Sequence, residues 1–169
     1  MLDWSKLILD GGALTILFTG VVLFIAINKP RVFLVPGEVP PDILAKAKRL
    51  TAKEKEQSKK AMFPLMAILI GGTLYSTYSF AQQAEVGYLI LFLHALLIQL
   101  MITTFDLVFI DWLILNTITP KWSVFPGTEG LAGYKDYSFH AKVHLGLLPR
   151  QIGGAALIAA IVFALTRWL

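Results

Sequence analysis

The most constraining feature of this sequence is four apolar stretches, each about as long as a membrane crossing. The hydrocarbon core of a bilayer is about 30 Å thick and needs about 20 apolar residues in a helix. The stretches cover residues 7–28, 62–80, 86–116 and 147–166. The third exceeds what a crossing requires, so we expect it to tilt or to emerge into water. The sequence therefore predicts an all-α fold: one transmembrane domain over residues 1–169, built as a bundle of four transmembrane helices.

The composition excludes the other common classes of protein. Hydrophobic residues make up 56% of the chain and charged residues 15%, whereas a soluble domain averages about 45–50% and about 25%. The apolar content also excludes a disordered chain. The absence of cysteine excludes a disulfide scaffold.

The positive charges are concentrated in two segments. Of the 15 lysines and arginines, nine lie in residues 29–61 and four in residues 117–150. Loops on the cytoplasmic side of a membrane carry such an excess. The sequence therefore predicts that the loops 29–61 and 117–146 are cytoplasmic and that both termini lie outside. This bias explains the basic pI without a nucleic-acid partner, because no aromatic-interleaved basic patch is present.

The first loop contains a basic stretch next to the second span. Thr51 and Glu54 have the spacing of a capping box, which predicts a helix over 52–61. Pro64 predicts a bend or a fresh first turn at the start of the span. The basic helix either binds anionic headgroups at the inner face of the bilayer or is a solvated topology anchor.

The second loop is too aromatic for a simple linker. Pro126 and Gly127 fit the central positions of a type II turn. The stretch 134–144 predicts an interfacial helix that runs into the fourth span, with a break near Pro149.

Two carboxylates of the third span are candidates for a site. A carboxylate inside a bilayer costs about 2.5–3.5 kcal/mol on insertion scales. At about 1.5 Å per residue from Gly87, Asp106 should lie near the inner interface and Asp111 at or beyond it. On an α-helix the spacing puts Thr103 and Asp106 on one face and puts Asp111 on a different face.

The chemistry of these side chains admits a metal ion. His140 and His144 are four residues apart, so on a helix both rings point the same way. Together with Asp106 they are the candidate metal ligands, since two histidines and a carboxylate suit a transition metal. The carboxylates that could act in such a site are Asp106, Asp111, Glu129 and Asp136. Alternatively, these groups pair with lysines, backbone and headgroups.

A haem is not expected. His94 lies about 10 Å from the outer face by the same rise, whereas His140 and His144 belong to the inner side. One iron cannot bridge that separation. His94 is better explained as a hydrogen-bonded bundle residue or as a neighbour of the first span.

The run Phe105-Asp106-Leu107-Val108-Phe109-Ile110-Asp111-Trp112 is followed by Pro126-Gly127-Thr128-Glu129 and by Tyr134-Lys135-Asp136-Tyr137-Ser138-Phe139-His140. This combination resembles a group of small bacterial four-span integral membrane proteins over about residues 105–146. The resemblance implies the four-span fold. It also implies that Asp106, Asp111, Glu129, Asp136 and His140 form a shared polar cluster, and it leaves His144 outside the pattern. It implies no substrate.

Two functions follow from this pattern. The first is a small polytopic protein of a bacterial inner membrane that acts as an accessory or interaction subunit without catalysis of its own. Its partners would be other membrane chains or a second copy. The second is a membrane enzyme with a polar or metal-binding site at the cytoplasmic interface, built from Asp106, Asp111, Glu129 and His140.

Overall fold

The computed structural model describes residues 1–83 and 85–168, and within them the fold is all-α, without a strand. The helices are α1 Trp4–Asn28, α2 Pro41–Lys46, α3 Ala52–Gln83, α4 Tyr88–Ile118 and α5 Tyr137–Trp168. Short 3₁₀ turns cover Pro30–Phe33, Lys121–Ser123 and Ala132–Lys135. Four of the helices, α1, α3, α4 and α5, are long and apolar enough to cross a membrane. The predicted four-helix fold is confirmed.

The four long helices exceed the thickness of the hydrocarbon core. They contain 25 to 32 residues, which corresponds to about 37–48 Å against about 30 Å of hydrocarbon. Only 22–33% of the apolar window of each helix is buried by protein. Most of the remaining apolar surface is therefore free to contact lipid, as in a multi-pass membrane protein. Which side of the membrane each loop faces stays a prediction.

Two prolines lie inside continuous helices, so the fresh first turn predicted at Pro64 and the break predicted near Pro149 are wrong, whereas the bend at Pro64 stays a prediction. α3 continues through Pro64 and α5 continues through Pro149. A proline removes one hydrogen bond, the one to the carbonyl four residues earlier. Here those carbonyls belong to Lys60 and Leu145.

The chain forms two compact units. The first unit comprises Met1–Phe18, Met66–Thr104 and Leu147–Leu169. Its core contains fully or nearly fully buried residues of α4 and α5, namely Leu91, Ala95, Ala155, Ile158, Ala159 and Val162. Three of these are alanines, and small side chains allow transmembrane helices to approach closely.

The second unit comprises Thr19–Leu65 and Phe105–Gly146, and it joins the two predicted loops into one small core. Its buried apolar residues are Leu34, Ile43, Ala47 and Phe125. Asp42 connects the two segments, because its Oδ2 accepts a 2.9 Å hydrogen bond from Gly133 N–H. The type II turn is confirmed: Gly127 has φ 82°, and Thr128 N–H donates to the Phe125 carbonyl at 3.1 Å.

We expect Gly127→Ala to lower the free energy of unfolding by about 1–2 kcal/mol, since a Cβ is strained at positive φ. Chemical denaturation in mild detergent measures this loss. Gly146→Ala is the matched control, because Gly146 is helical with open space around its Cβ position. Equal losses in the two variants would contradict the assignment of the turn.

Candidate functional site

The site begins where α4 changes its hydrogen-bond register. From Tyr88 to Phe105 the helix is α, and from Asp106 to Ile118 it is a π-helix. The Thr119 N–H still donates to the carbonyl five residues earlier, at 2.9 Å. Residues five apart are rotated by about 140° on an α-helix, whereas the wider turn of an i→i+5 helix brings them closer to one face. Asp106 and Asp111 therefore share a face, and the expectation of two separate faces is wrong.

Both carboxylates meet a histidine of α5. His144 Nε2 lies 3.0 Å from Asp111 Oδ2 and 3.7 Å from Asp106 Oδ2. His140 Nδ1 lies 3.3 Å from the same Asp111 oxygen. All four side chains are largely buried, with exposed fractions between 9% and 22%. These four residues are the carboxylate–histidine cluster.

Asp136 holds the start of α5 and so orients the two histidines. Its Oδ1 accepts hydrogen bonds from the Ser138 hydroxyl at 2.7 Å and from Phe139 N–H at 3.1 Å, as a helix N-cap does. These bonds lower the pKa of Asp136. The structure gives Asp136 a capping role, outside the cluster.

The aromatic motif between α4 and α5 stabilises the connection between these two helices. The Lys135 ammonium donates to the carbonyls of Asn116 and Thr117, at 2.6 and 3.1 Å, and so caps the end of α4. The Tyr134 hydroxyl lies 2.6 Å from the Thr128 hydroxyl. These bonds fix the connection that sets α5 beside the π-helix.

Glu129 is exposed and binds its own turn, where its Oε1 accepts a hydrogen bond from Gly127 N–H at 3.1 Å. The structure thus brings Asp106, Asp111, His140 and His144 together. Glu129 and Asp136 instead accept hydrogen bonds from backbone N–H groups. His144, which the resemblance leaves outside its pattern, contacts both aspartates.

Sequence reasoning missed Glu38. This residue follows Gly37, whose φ is 92°, in the loop between α1 and α2. Although the residue as a whole is exposed, loss of water around its carboxyl raises the pKa of Glu38, and the negative charge of Asp111 raises it further. His140 and His144 act in the opposite direction. Glu38 is therefore within electrostatic reach of the cluster, although its place in a proline-rich loop gave no signal for that.

The cluster has the dimensions of a metal site. One ligand atom from each of Asp106, Asp111 and His144 lies within 4.8 Å of the other two. A tetrahedral ion with bonds of about 2.0–2.2 Å separates its ligands by about 3.3–3.6 Å. The distances from His144 to the two carboxylates, 3.0 and 3.7 Å, bracket that range. Without an ion, the same atoms form a network of carboxylate–imidazole pairs.

A second polar cluster lies in the first unit and joins three helices. The Ser76 hydroxyl donates to Asp10 Oδ2 at 2.5 Å and lies 3.0 Å from His94 Nε2, and Lys6 pairs with the same Asp10 oxygen at 2.8 Å. A serine carries one proton. Because Ser76 gives that proton to the carboxylate, His94 donates from Nε2. His94, stacked on Phe80 at 4.7 Å, is the hydrogen-bonded bundle residue that the sequence suggested.

No protein-family model, curated protein or solved structure matches this chain. The resemblance over residues 105–146 stays a prediction.

We expect Ser76→Ala to lower the free energy of unfolding by about 1–3 kcal/mol, because it removes a buried partner from both Asp10 and His94. Unfolding of the detergent-solubilised protein measures the loss. Ser79→Ala, the same change on the same helix outside this cluster, is the control. A loss no larger than that of the control would contradict the bridging role of Ser76.

The raised pKa of Glu38 predicts a pH-dependent gain from Glu38→Gln. The folded state favours protonated Glu38, so its contribution to stability is present at acidic pH and is lost as the pH rises through the raised pKa. In chelator-treated protein, the free energy of unfolding of Glu38→Gln relative to that of the parent should increase as the pH rises through the raised pKa. Glu129→Gln serves as the control at an exposed carboxylate. A difference between the variant and the parent that is independent of pH would contradict the assignment.

Proposed function

We propose that this chain is a metal-dependent membrane enzyme whose site binds one divalent transition-metal ion through Asp106, Asp111 and His144. The observation that carries the proposal is the convergence of one ligand atom from each residue within 4.8 Å. Imidazole and carboxylate ligands together suit ions such as Zn²⁺ and Fe²⁺.

The charge of the cluster supports a bound cation. Two largely buried carboxylates close together repel each other and are costly to ionise. A divalent ion offsets both charges. His140 touches Asp111 alone among the cluster's carboxylates, which is the arrangement of a group that orients a ligand from outside the coordination sphere.

The number of ligands supports hydrolysis as the reaction class. Three protein ligands would leave a coordination position open for water, and a Zn²⁺ ion held there would lower the pKa of that water to about 7. Substrates would reach the site from the interface, at the end of α4.

The cellular setting belongs to the same proposal. The placement of 13 of the 15 lysines and arginines in two segments supports both loops in the cytoplasm, and the resemblance over residues 105–146 is what points to a bacterial inner membrane. An accessory or interaction subunit without catalysis stays the alternative. The two functions differ in whether the purified chain binds metal stoichiometrically.

Calorimetric titration of chelator-stripped protein with Zn²⁺ and with Mn²⁺, checked by elemental analysis, tests the proposal. We expect one ion per chain. His144→Ala and Asp106→Asn should each weaken binding by at least about ten-fold, and His140→Ala should weaken it less, because it removes only an orienting contact.

Glu129→Gln is the matched control and should bind metal like the parent, because Glu129 lies outside the cluster. Thermal unfolding of each variant without metal separates a lost ligand from a lost fold. Absence of stoichiometric metal in the parent, or unchanged affinity in a folded His144→Ala protein, would overturn the metal site and favour the accessory subunit.

A further inference from the structure

A dense set of exposed positive charges surrounds the start of α3. Seven lysines and arginines lie in residues 46–60, and all seven are exposed. Six of them have no carboxylate within ion-pair distance in the described part of the chain: Lys46, Lys48, Arg49, Lys53, Lys55 and Lys59. We call these six residues the basic surface.

The two acidic residues of this segment do not neutralise the basic surface. Glu54 is bound by Arg31 at 2.6 Å, and the backbone N–H and hydroxyl of Thr51 both donate to it at 2.8 Å. Glu56 pairs with Lys60 at 2.8 Å. Each carboxylate is thus already engaged by a residue outside the basic surface.

The continuity of α3 places these charges next to its apolar span. The helix runs unbroken from the basic segment into the apolar span, and its first large apolar residues are Met62 and Phe63. Lys59 precedes them by about 5–6 Å along the axis. The headgroup layer is about 5–8 Å thick on each side of a bilayer. Lys55 lies about 6 Å further out, within the Debye length of about 8 Å at physiological salt, and Lys53 lies about 9 Å further out, just beyond it.

Arg31 holds the loop part of the basic surface against this helix. Its Nη2 donates to the carbonyls of Lys48 and Arg49, at 3.0 and 3.4 Å, while its Nε binds Glu54 at the start of α3. The charges at 46–49 are therefore held beside those at 53–59.

We propose that the basic surface binds the anionic phospholipid headgroups of the bilayer that α3 crosses. Positive charges at headgroup height attract anionic lipids over zwitterionic ones. Residues 42–60 contain no aromatic side chain for base stacking, which disfavours a single-stranded nucleic acid. This inference does not depend on the metal site, because none of the six residues belongs to the carboxylate–histidine cluster.

The lipid shell of the full-length protein tests the proposal. The protein is reconstituted in vesicles of equal parts phosphatidylglycerol and phosphatidylcholine. It is then extracted with its surrounding lipid in polymer-bounded discs, and the lipids are quantified by mass spectrometry. We expect at least about two-fold enrichment of phosphatidylglycerol over the bulk, falling when the salt is raised from 0.1 to 0.5 M.

The triple variant K53Q/K55Q/K59Q should lose most of this enrichment. The control K121Q/K142Q/R150Q removes the same charge from exposed positions outside the basic surface and should keep it. A parent without enrichment, or equal losses in the two triple variants, would overturn the proposal. Because neither readout involves metal, failure here is distinguishable from failure of the metal site.

Discussion

The structure depends on one constraint: inside a bilayer, backbone N–H and C=O groups must find their hydrogen-bond partners within the protein. The chain meets it with four long continuous helices. α3 passes Pro64 and α5 passes Pro149 without ending. α4 changes its register from α to π at Asp106, which keeps the backbone paired while rotating the side chains that follow. That rotation brings Asp106 and Asp111 to one histidine.

In both units, buried ionisable groups have hydrogen-bond or ion-pair partners. Asp10 is offset by Lys6 and Ser76, and His94 shares the serine. In the second unit Asp111 is offset by two imidazoles. Among the described residues, Asp106 has only the longer 3.7 Å contact with His144. This less compensated carboxylate beside a second one is the physical reason for expecting a cation there rather than a purely structural network.

In the connection between α4 and α5, residues that stabilise the fold have the sequence pattern expected of a functional site. Glu129 and Asp136 are carboxylates in an unusual polar, aromatic segment, and both bind backbone N–H groups. Turns and helix starts require such acceptors for their unpaired donors. The same segment nevertheless serves the cluster, because Asp136 starts α5 four residues before His140 and eight before His144.

The sequence by itself determined the class of this protein, because four apolar stretches of sufficient length and few charges allow little besides a helical membrane bundle. It also determined the type II turn at Pro126–Gly127, the capping box at Thr51 and Glu54, and the pairing of His140 with His144 along one helix. Only the tertiary structure decided which side chains converge. The π-helix and the joint core of the two loops depend on contacts between segments distant in sequence, and no local propensity encodes them.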